Sequence, residues 1–283
     1  MGAYLLPSEW TWTALSGTTM YEHDPRAANR GDVWKHFLLL TVLDLLLETK
    51  EKDGEQFLYL ESHCGPPFHV LGEKGAWREG LGRVIPPPSS LAGHPYFRFL
   101  GSKVAPGALY LGSWLQVAFH LERVGRDFRM SLLDNSERVA RKILGLGISA
   151  QPSSQISFQM GDGFEALRCT EGWDLVLVDP PFWPDPRQDV ARCRETVAVL
   201  RGRSSVFLIW YPLRSRRDTG LGRGLRCEAL EVLWGDRGGG SSMVGCGVLM
   251  GGLPRSVLEC RAEWLHALAS HIGWEFRWRA AGG

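Results

Sequence analysis

A chain of 283 residues, 44% hydrophobic and 22% charged, has the composition of a globular protein and enough apolar surface for one large domain or two small ones. Its formal net charge of +1 excludes a general electrostatic pull on nucleic acid, so any RNA or DNA contact must come from a local patch. Six cysteines without a CxxC pair argue against a zinc site or a disulfide framework, and the longest apolar run, Phe37 to Leu47, is interrupted and too short to span a bilayer. With no signal-like apolar core before Met20, a cytoplasmic protein with neither metal nor membrane partner is expected.

Residues 1–20 show no periodic pattern and are expected to be a disordered extension, with the domain proper spanning 21–283. A polar stretch from Tyr21 to His36 leads into a helix expected over about 32–50, with Asp32 as an N-cap-type carboxylate. That helix is apolar on most faces and should be buried. Lys35 and His36 near its start are the exceptions, and taken alone such residues usually meet solvent. Phe57–Glu61 reads as a strand, followed by the turn Ser62-His63-Cys64-Gly65 and then by Pro66-Pro67. Residues 66–112, rich in Gly, Pro and aromatics, break the pattern and are expected to form a small inserted subdomain or lid.

Alternation then resumes. A helix begins at Gly112-Ser113. Residues 128–133 form a strand ending at Asp134, and Ser136 caps a helix over 137–146. Residues 156–159 form a strand that ends at Gly161-Asp162-Gly163, and 174–178 form another that ends at Asp179. After a helix over 188–201 come a strand at 206–210 ending in Tyr211-Pro212, an antiparallel pair at 226–234 and 244–250, and a final helix over 255–270. Strands spaced by helices predict an α/β fold: a doubly wound, mostly parallel Rossmann-like sheet with a terminal antiparallel pair.

Within that frame Asp179-Pro180-Pro181-Phe182 stands out. Two prolines directly after a buried strand end it and stiffen the turn. They hold a carboxylate and a ring at the carboxyl edge of the sheet, where open α/β folds bind ligands. The tetrad is similar to the signature of amino-methyltransferases acting on adenine or cytosine. An exocyclic amine is a poor nucleophile because its lone pair is delocalised into the ring. A carboxylate and a carbonyl that accept its N–H groups turn the nitrogen toward sp³, and an aromatic ring can stack on the flipped-out base. An ordinary strand-ending turn is the plain alternative for these four residues. An acidic residue after the second strand, Asp134, suits a ribose diol, and Asp162 beside Gly163 suits an adenine amino group.

Seven short motifs extend the likeness: Tyr21-x-His23, Asn29-x-x-Asp32-Val-x-Lys35-His36, Leu60-x-x-His63-x-Gly65, Gly112-Ser113, Asp162-Gly163-Phe164, Asp179-Pro-Pro and Trp210-Tyr-Pro212. On these the chain resembles the bacterial 23S rRNA adenine-N6 methyltransferases of the RlmJ type, whose target is adenine 2030. The resemblance implies a class I methyltransferase fold, S-adenosylmethionine as cofactor and 23S rRNA as partner, in a protein expected to be monomeric. It implies that His36, His63, Ser113, Asp134, Asp162, Gly163 and Asp179 line the cofactor pocket and that Asp179 also accepts the target amine. Tyr21, His23, Lys35 and Phe182 are then expected on the substrate side. A DNA adenine methyltransferase and a catalytically weak RNA-binding relative are the alternatives. The chain departs from the family at Pro66-Pro67, at Phe182 in place of Tyr, at Asp134 in place of Glu, and at Gly251-Gly252.

Overall fold

The computed structural model describes residues 24–281 apart from 50–54, 101–103, 149–150, 152–154, 170, 204, 218–220, 222–223 and 236–242. The expected extension over 1–20, with Tyr21 and His23, lies outside the described residues.

The chain enters through a turn at 24–29 into α1 (Arg30–Thr49), of which fifteen residues are buried, Lys35 and His36 among them. Asn29 starts the helix: its Oδ1 accepts the N–H groups of Gly31 (2.6 Å) and Asp32 (3.1 Å). Asp32 reaches back to accept the Asn29 N–H at 3.3 Å. The cap is therefore Asn29, three residues before the position expected, and Asp32 is the reciprocal half of a capping box.

β1 (Phe57–Glu61) follows, and the chain then leaves the sheet. Residues 68–111 hold β2 (Phe68–Val70), α2 (Leu81–Val84), α3 (Pro95–Arg98) and β3 (Leu109–Leu111), with β2 and β3 pairing antiparallel as a separate two-stranded sheet. The main sheet resumes through α4 (Ser113–Arg123), β4 (Phe128–Asp134), α5 (Glu137–Leu144), β5 (Ile156–Met160), α6 (Gly163–Cys169) and β6 (Leu175–Val178). It is completed by α7 (Pro186–Arg201), β7 (Val206–Leu213), β8 (Cys227–Leu233), β9 (Gly245–Gly251), α8 (Arg255–Glu259), α9 (Ala262–Ile272) and β10 (Glu275–Ala281).

The eight strands lie in the order β10-β8-β9-β7-β6-β1-β4-β5. β5, β4, β1, β6 and β7 run parallel, and β9, β8 and β10 continue antiparallel. Side chains alternate between two cores. Leu175 and Leu177 join α1, α4 and α5 on one face, while Val176 and Val178 join α6 and α7 on the other. The order reverses between β1 and β6, so their carboxyl ends open a crevice at the switch point.

Two expectations need correction. β7 does not stop at Pro212 but runs to Leu213. β6 pairs with it only as far as Ile209, so beyond that point only β9 flanks it, and a residue without an N–H is tolerated. The chain does not finish on one helix either. α8 and α9 are separate, α9 closes on Gly273 with φ 74°, and β10 then adds an edge strand against β8.

Candidate active site

A cavity of about 350 Å³ opens at that switch point. Its floor is the end of β6 with Asp179 and Pro181, and one wall is the β1 turn with His63, Cys64, Gly65 and Pro66. The start of α1 contributes Asp32, Lys35 and His36, and the β2–β3 region contributes His69, Tyr110 and, at its join to α4, Ser113. The 24–29 turn closes it from above. That turn is fastened to residues 66–112 by Ala76 N–H to Pro25 O (2.8 Å), Leu81 N–H to Ala28 O (3.1 Å) and an Asp24–His69 contact at 3.1 Å. The His69 hydrogen bond holds the Asp24 carboxyl far below the ordinary range.

At its centre Lys35 Nζ donates to Asp179 Oδ2 at 2.5 Å and to Asp32 Oδ1 at 3.2 Å. Burial works against the Lys35 charge, but the two carboxylates outweigh it and its pKa ends above the usual value. Burial likewise raises the Asp179 carboxyl, and the Lys35 ammonium pulls it back. A lysine expected at the solvent boundary or on RNA thus faces the carboxylate of the Pro-Pro tetrad.

Around this pair His36, buried, and His63, half-buried, are neutral. Burial drives His36 well below its normal pKa and His63 to about 4. Gln116 Nε2 donates to Leu111 O and to His36 Nδ1, each at 2.8 Å, so the His36 proton sits on Nε2. Tyr110 Oη also lies 2.7 Å from His36 Nδ1. Behind Ser113 stands Glu61, fully buried, which accepts the hydroxyls of Ser113 and, at 2.7 Å, Tyr59. Burial pushes Glu61 up to about 8. Glu61, Tyr110 and Gln116 were not among the expected site residues. Their only signal is position: Glu61 ends β1, while Tyr110 and Gln116 flank the Gly112-Ser113 pair.

The β1 turn explains the two prolines. Gly65 has φ +62°, with nothing near the place a Cβ would occupy, so its backbone lies open to the cavity. Its N–H donates to Asp134 Oδ2 at 3.0 Å. Pro67 uses only its carbonyl, which accepts the Gly112 N–H at 2.7 Å, so no donor is missed.

His36, His63, Ser113, Lys35 and Asp179 therefore meet at one cavity, whereas Asp134, Asp162, Gly163 and Phe182 do not line it. Asp134 stands one strand away and is tied to the Gly65 and Ser136 N–H groups. Asp162 accepts the Phe164 and Glu165 N–H groups at the start of α6 and is bound by Arg192 at 2.6 Å. Gly163 packs on the β1 turn so closely that a Cβ would fall 1.8 Å from Ser62 O. Phe182 departs most from expectation. Its φ is +49°, its ring is 4% exposed, and it meets Trp210 edge-on at 5.8 Å inside the second core.

The strand order, with a cavity at the switch point and the Asp-Pro-Pro turn at its floor, is that of the class I methyltransferase fold. In sequence the chain is similar to the ribosomal RNA large subunit methyltransferase J of Haemophilus influenzae, 26% identical over 214 residues, 70% of this chain and 72% of the relative. It is 27% identical to the protein of the same name from Escherichia coli, over 70% of this chain and 71% of that one. No protein-family model matches the chain. Among solved structures, a protein of Legionella pneumophila superposes with a TM-score of 0.68 over 90% of this chain and 98% of its own, at 17% identity, a likeness of fold.

Proposed function

We propose that the chain is an S-adenosylmethionine-dependent methyltransferase acting on N6 of an adenine in 23S rRNA, by resemblance adenine 2030. The observation that carries the reading is Asp179, a carboxylate at the end of β6 that reaches the cavity and is held by Lys35. The names of the two relatives support the ribosomal RNA substrate.

The cavity suits the cofactor. Its volume falls in the range of small-ligand pockets, roughly 300–1,000 Å³. Its lining offers both signs of charge to a zwitterionic sulfonium amino acid, with Asp24, Asp32 and Asp179 set against Arg26 and Lys35. The open backbone of Gly65 allows close approach. Ser113, His63 and the Nε2–H of His36 would hold the amino-acid end inside the cavity, and the nucleoside end would extend beyond its lining, along the carboxyl ends of β4 and β5, to Asp134 and Asp162. When bound, S-adenosylmethionine supplies an electrophilic methyl group.

The rest falls to the chain itself. Asp179 Oδ1, not used by Lys35, would accept an N–H of the target amine, and a backbone carbonyl of the Pro180-Pro181 turn would accept the other. Both bonds strengthen as the nitrogen becomes tetrahedral, which makes them worth most in the transition state. Lys35 fixes the carboxylate and favours its charged form against the effect of burial, so no side chain must move at the moment of transfer. The ammonium that forms on nitrogen is acidic enough to release its proton afterwards, and no base is needed before attack. Tyr21 and His23 belong to the substrate side in this reading, on the chain just before the turn that roofs the cavity.

The test is methyl transfer from labelled cofactor to protein-free 23S rRNA, followed by digestion and identification of the labelled nucleoside. N6-methyladenosine is expected. Label in another nucleoside, or none, overturns the reading.

A further inference from the structure

Phe182 was expected to stack on a base, and it is buried. The residue after it is the opposite. Trp183 is 75% exposed, ahead of Met160, Leu144 and Val124 among the large exposed apolar side chains of the described residues. An isolated exposed apolar residue needs no explanation, but this one is held in a particular way. Phe182 sits in the left-handed region at φ +49°, a conformation that a bulky side chain adopts only where its surroundings dictate it. Here they do. The Phe182 ring is locked in the core against Trp210, and the backbone of Phe182 and Trp183 faces the Asp189 carboxylate on α7, where it lowers a pKa that burial raises. Asp185 then caps α7 through the Arg187 and Gln188 N–H groups at 3.0 and 3.2 Å. The turn is fixed at both ends, with one ring directed inward and the next left in solvent.

Position supplies the second half. Pro181, two residues before Trp183, lines the cavity beside Asp179, whereas Trp183 lines no part of it. Trp183 therefore stands outside the cavity, on the turn that forms its floor. Four residues on, Arg187 is exposed and has no ion-pair partner among the described residues. A rigid indole on the turn and an exposed guanidinium in the first turn of the helix that follows it are the elements that bind single-stranded nucleic acid, the first by stacking on a base and the second by meeting a phosphate. In a chain of net charge +1 such a local device has to do what a general field does not.

We propose that Trp183 is a positioning residue that stacks on a nucleobase flanking the target, with Arg187 on the adjoining phosphate, so that single-stranded RNA crosses the lip of the cavity at this turn. The inference rests on the reading of the protein as an RNA methyltransferase. It differs from base stacking inside the cavity, because the ring in question lies outside it.

The experiment compares wild type with Trp183→Ala, Trp183→Leu and Trp183→Phe. Binding is read with a short labelled single-stranded RNA containing an adenine, and turnover with protein-free 23S rRNA. Loss of one base–aromatic stack should raise the RNA Kd and KM about tenfold in the Ala and Leu variants. The Phe variant should recover most of that, and kcat, cofactor affinity and melting temperature should stay at wild-type values. Wild-type RNA binding in the Ala and Leu variants overturns the proposal. So does a Phe variant as weak as Ala, or a defect confined to cofactor affinity. A wild-type protein that binds RNA without methylating it overturns the proposed function instead, and the binding series still judges Trp183. A wild-type protein that binds no RNA overturns both.

Discussion

Asp179 and Asp162 each follow a parallel strand of one sheet at its carboxyl edge, the first directly before a proline and the second directly before the glycine that opens α6. Their surroundings separate them. The Asp179 side chain is 20% exposed, and burial raises its carboxyl while Lys35 restrains the rise. The Asp162 side chain is 44% exposed. Burial opposes its charge too, but Arg192 and the Glu165 and Phe164 N–H groups prevail and hold the carboxyl below its usual pKa. The first carboxylate has an oxygen free toward a cavity and a neighbouring cation that does not neutralise it by proton transfer. The second is engaged in building the start of α6. Two like residues at like places thus divide into one suited to chemistry and one suited to holding a rim in shape.

The sharpest way to break that contrast is Asp179→Asn. The amide keeps the shape and can still accept from Lys35, but it presents donors to an amine that needs acceptors. Methyl transfer should fall by on the order of 10²–10³ in kcat, with cofactor Kd nearly unchanged. Near-normal turnover in a folded variant would remove Asp179 from the chemistry. Next in size is Lys35→Met, which keeps the side-chain stem and deletes the charge. Asp179 and Asp32 then lack their shared cation, and transfer should fall roughly 10- to 100-fold for one charge-assisted bond. The sign of the pH effect follows from the same contact. Lys35 pulls the Asp179 pKa down, so its loss raises that pKa and moves the acid limb of the rate–pH profile to higher pH. An unmoved acid limb would mean that Lys35 acts on RNA and not through Asp179.

What the sequence made legible has a physical pattern. β1 and β6 were visible because strands covered on both faces read as unbroken apolar runs closed by turn residues. β10 was not. Glu275-Phe276-Arg277-Trp278-Arg279 is a half-buried edge, and its charged residues gave no run to notice. The inward direction of Lys35 was equally hidden, since a buried and a solvated lysine look alike until Asp179, 144 residues away, comes alongside. The tetrad announced an aromatic residue, but which of Phe182 and Trp183 faces inward depends on one backbone angle that composition does not disclose. The insertion's contributions, His69 and Tyr110, carry no motif spacing and became visible only when the β2–β3 pair folded back over the β1 turn.

The other half of the contrast is sharpened by Asp162→Asn. Asn is as good an N-cap as Asp, so the start of α6 should survive. What changes is the charge toward Arg192 and, in the proposed cofactor site, the acceptor for the nucleoside end. One hydrogen bond of about 0.5–1.5 kcal/mol corresponds to a cofactor Kd raised roughly 2- to 10-fold, with kcat within twofold. Titration calorimetry and single-turnover kinetics separate the two quantities. A loss in kcat comparable with that of Asp179→Asn would erase the distinction between the two carboxylates.

The smallest effect belongs to Arg192→Ala. Arg192 bonds Asp162 at 2.6 Å and lies 4.4 Å above the Phe164 ring, yet the two partners of the ion pair are 25% and 44% exposed. Solvent screening limits such a pair to about 0.2–1 kcal/mol, and the ring contact adds a similar amount. For a chain of this length that is a fall in Tm of about 1–4 °C. The pH dependence has a definite sign. The folded-state pKa of Asp162 is depressed, so the stability gained from the pair is present above the unfolded value, about 3.9, and is lost as pH falls through the folded value. The gap between wild type and variant should therefore narrow below pH about 4, and also in about 1 M salt, leaving the part due to Phe164. A fall beyond about 8 °C, or a gap indifferent to both acid and salt, would show that Arg192 holds α7 to α6 by packing and that the Asp162 carboxylate is not what it secures.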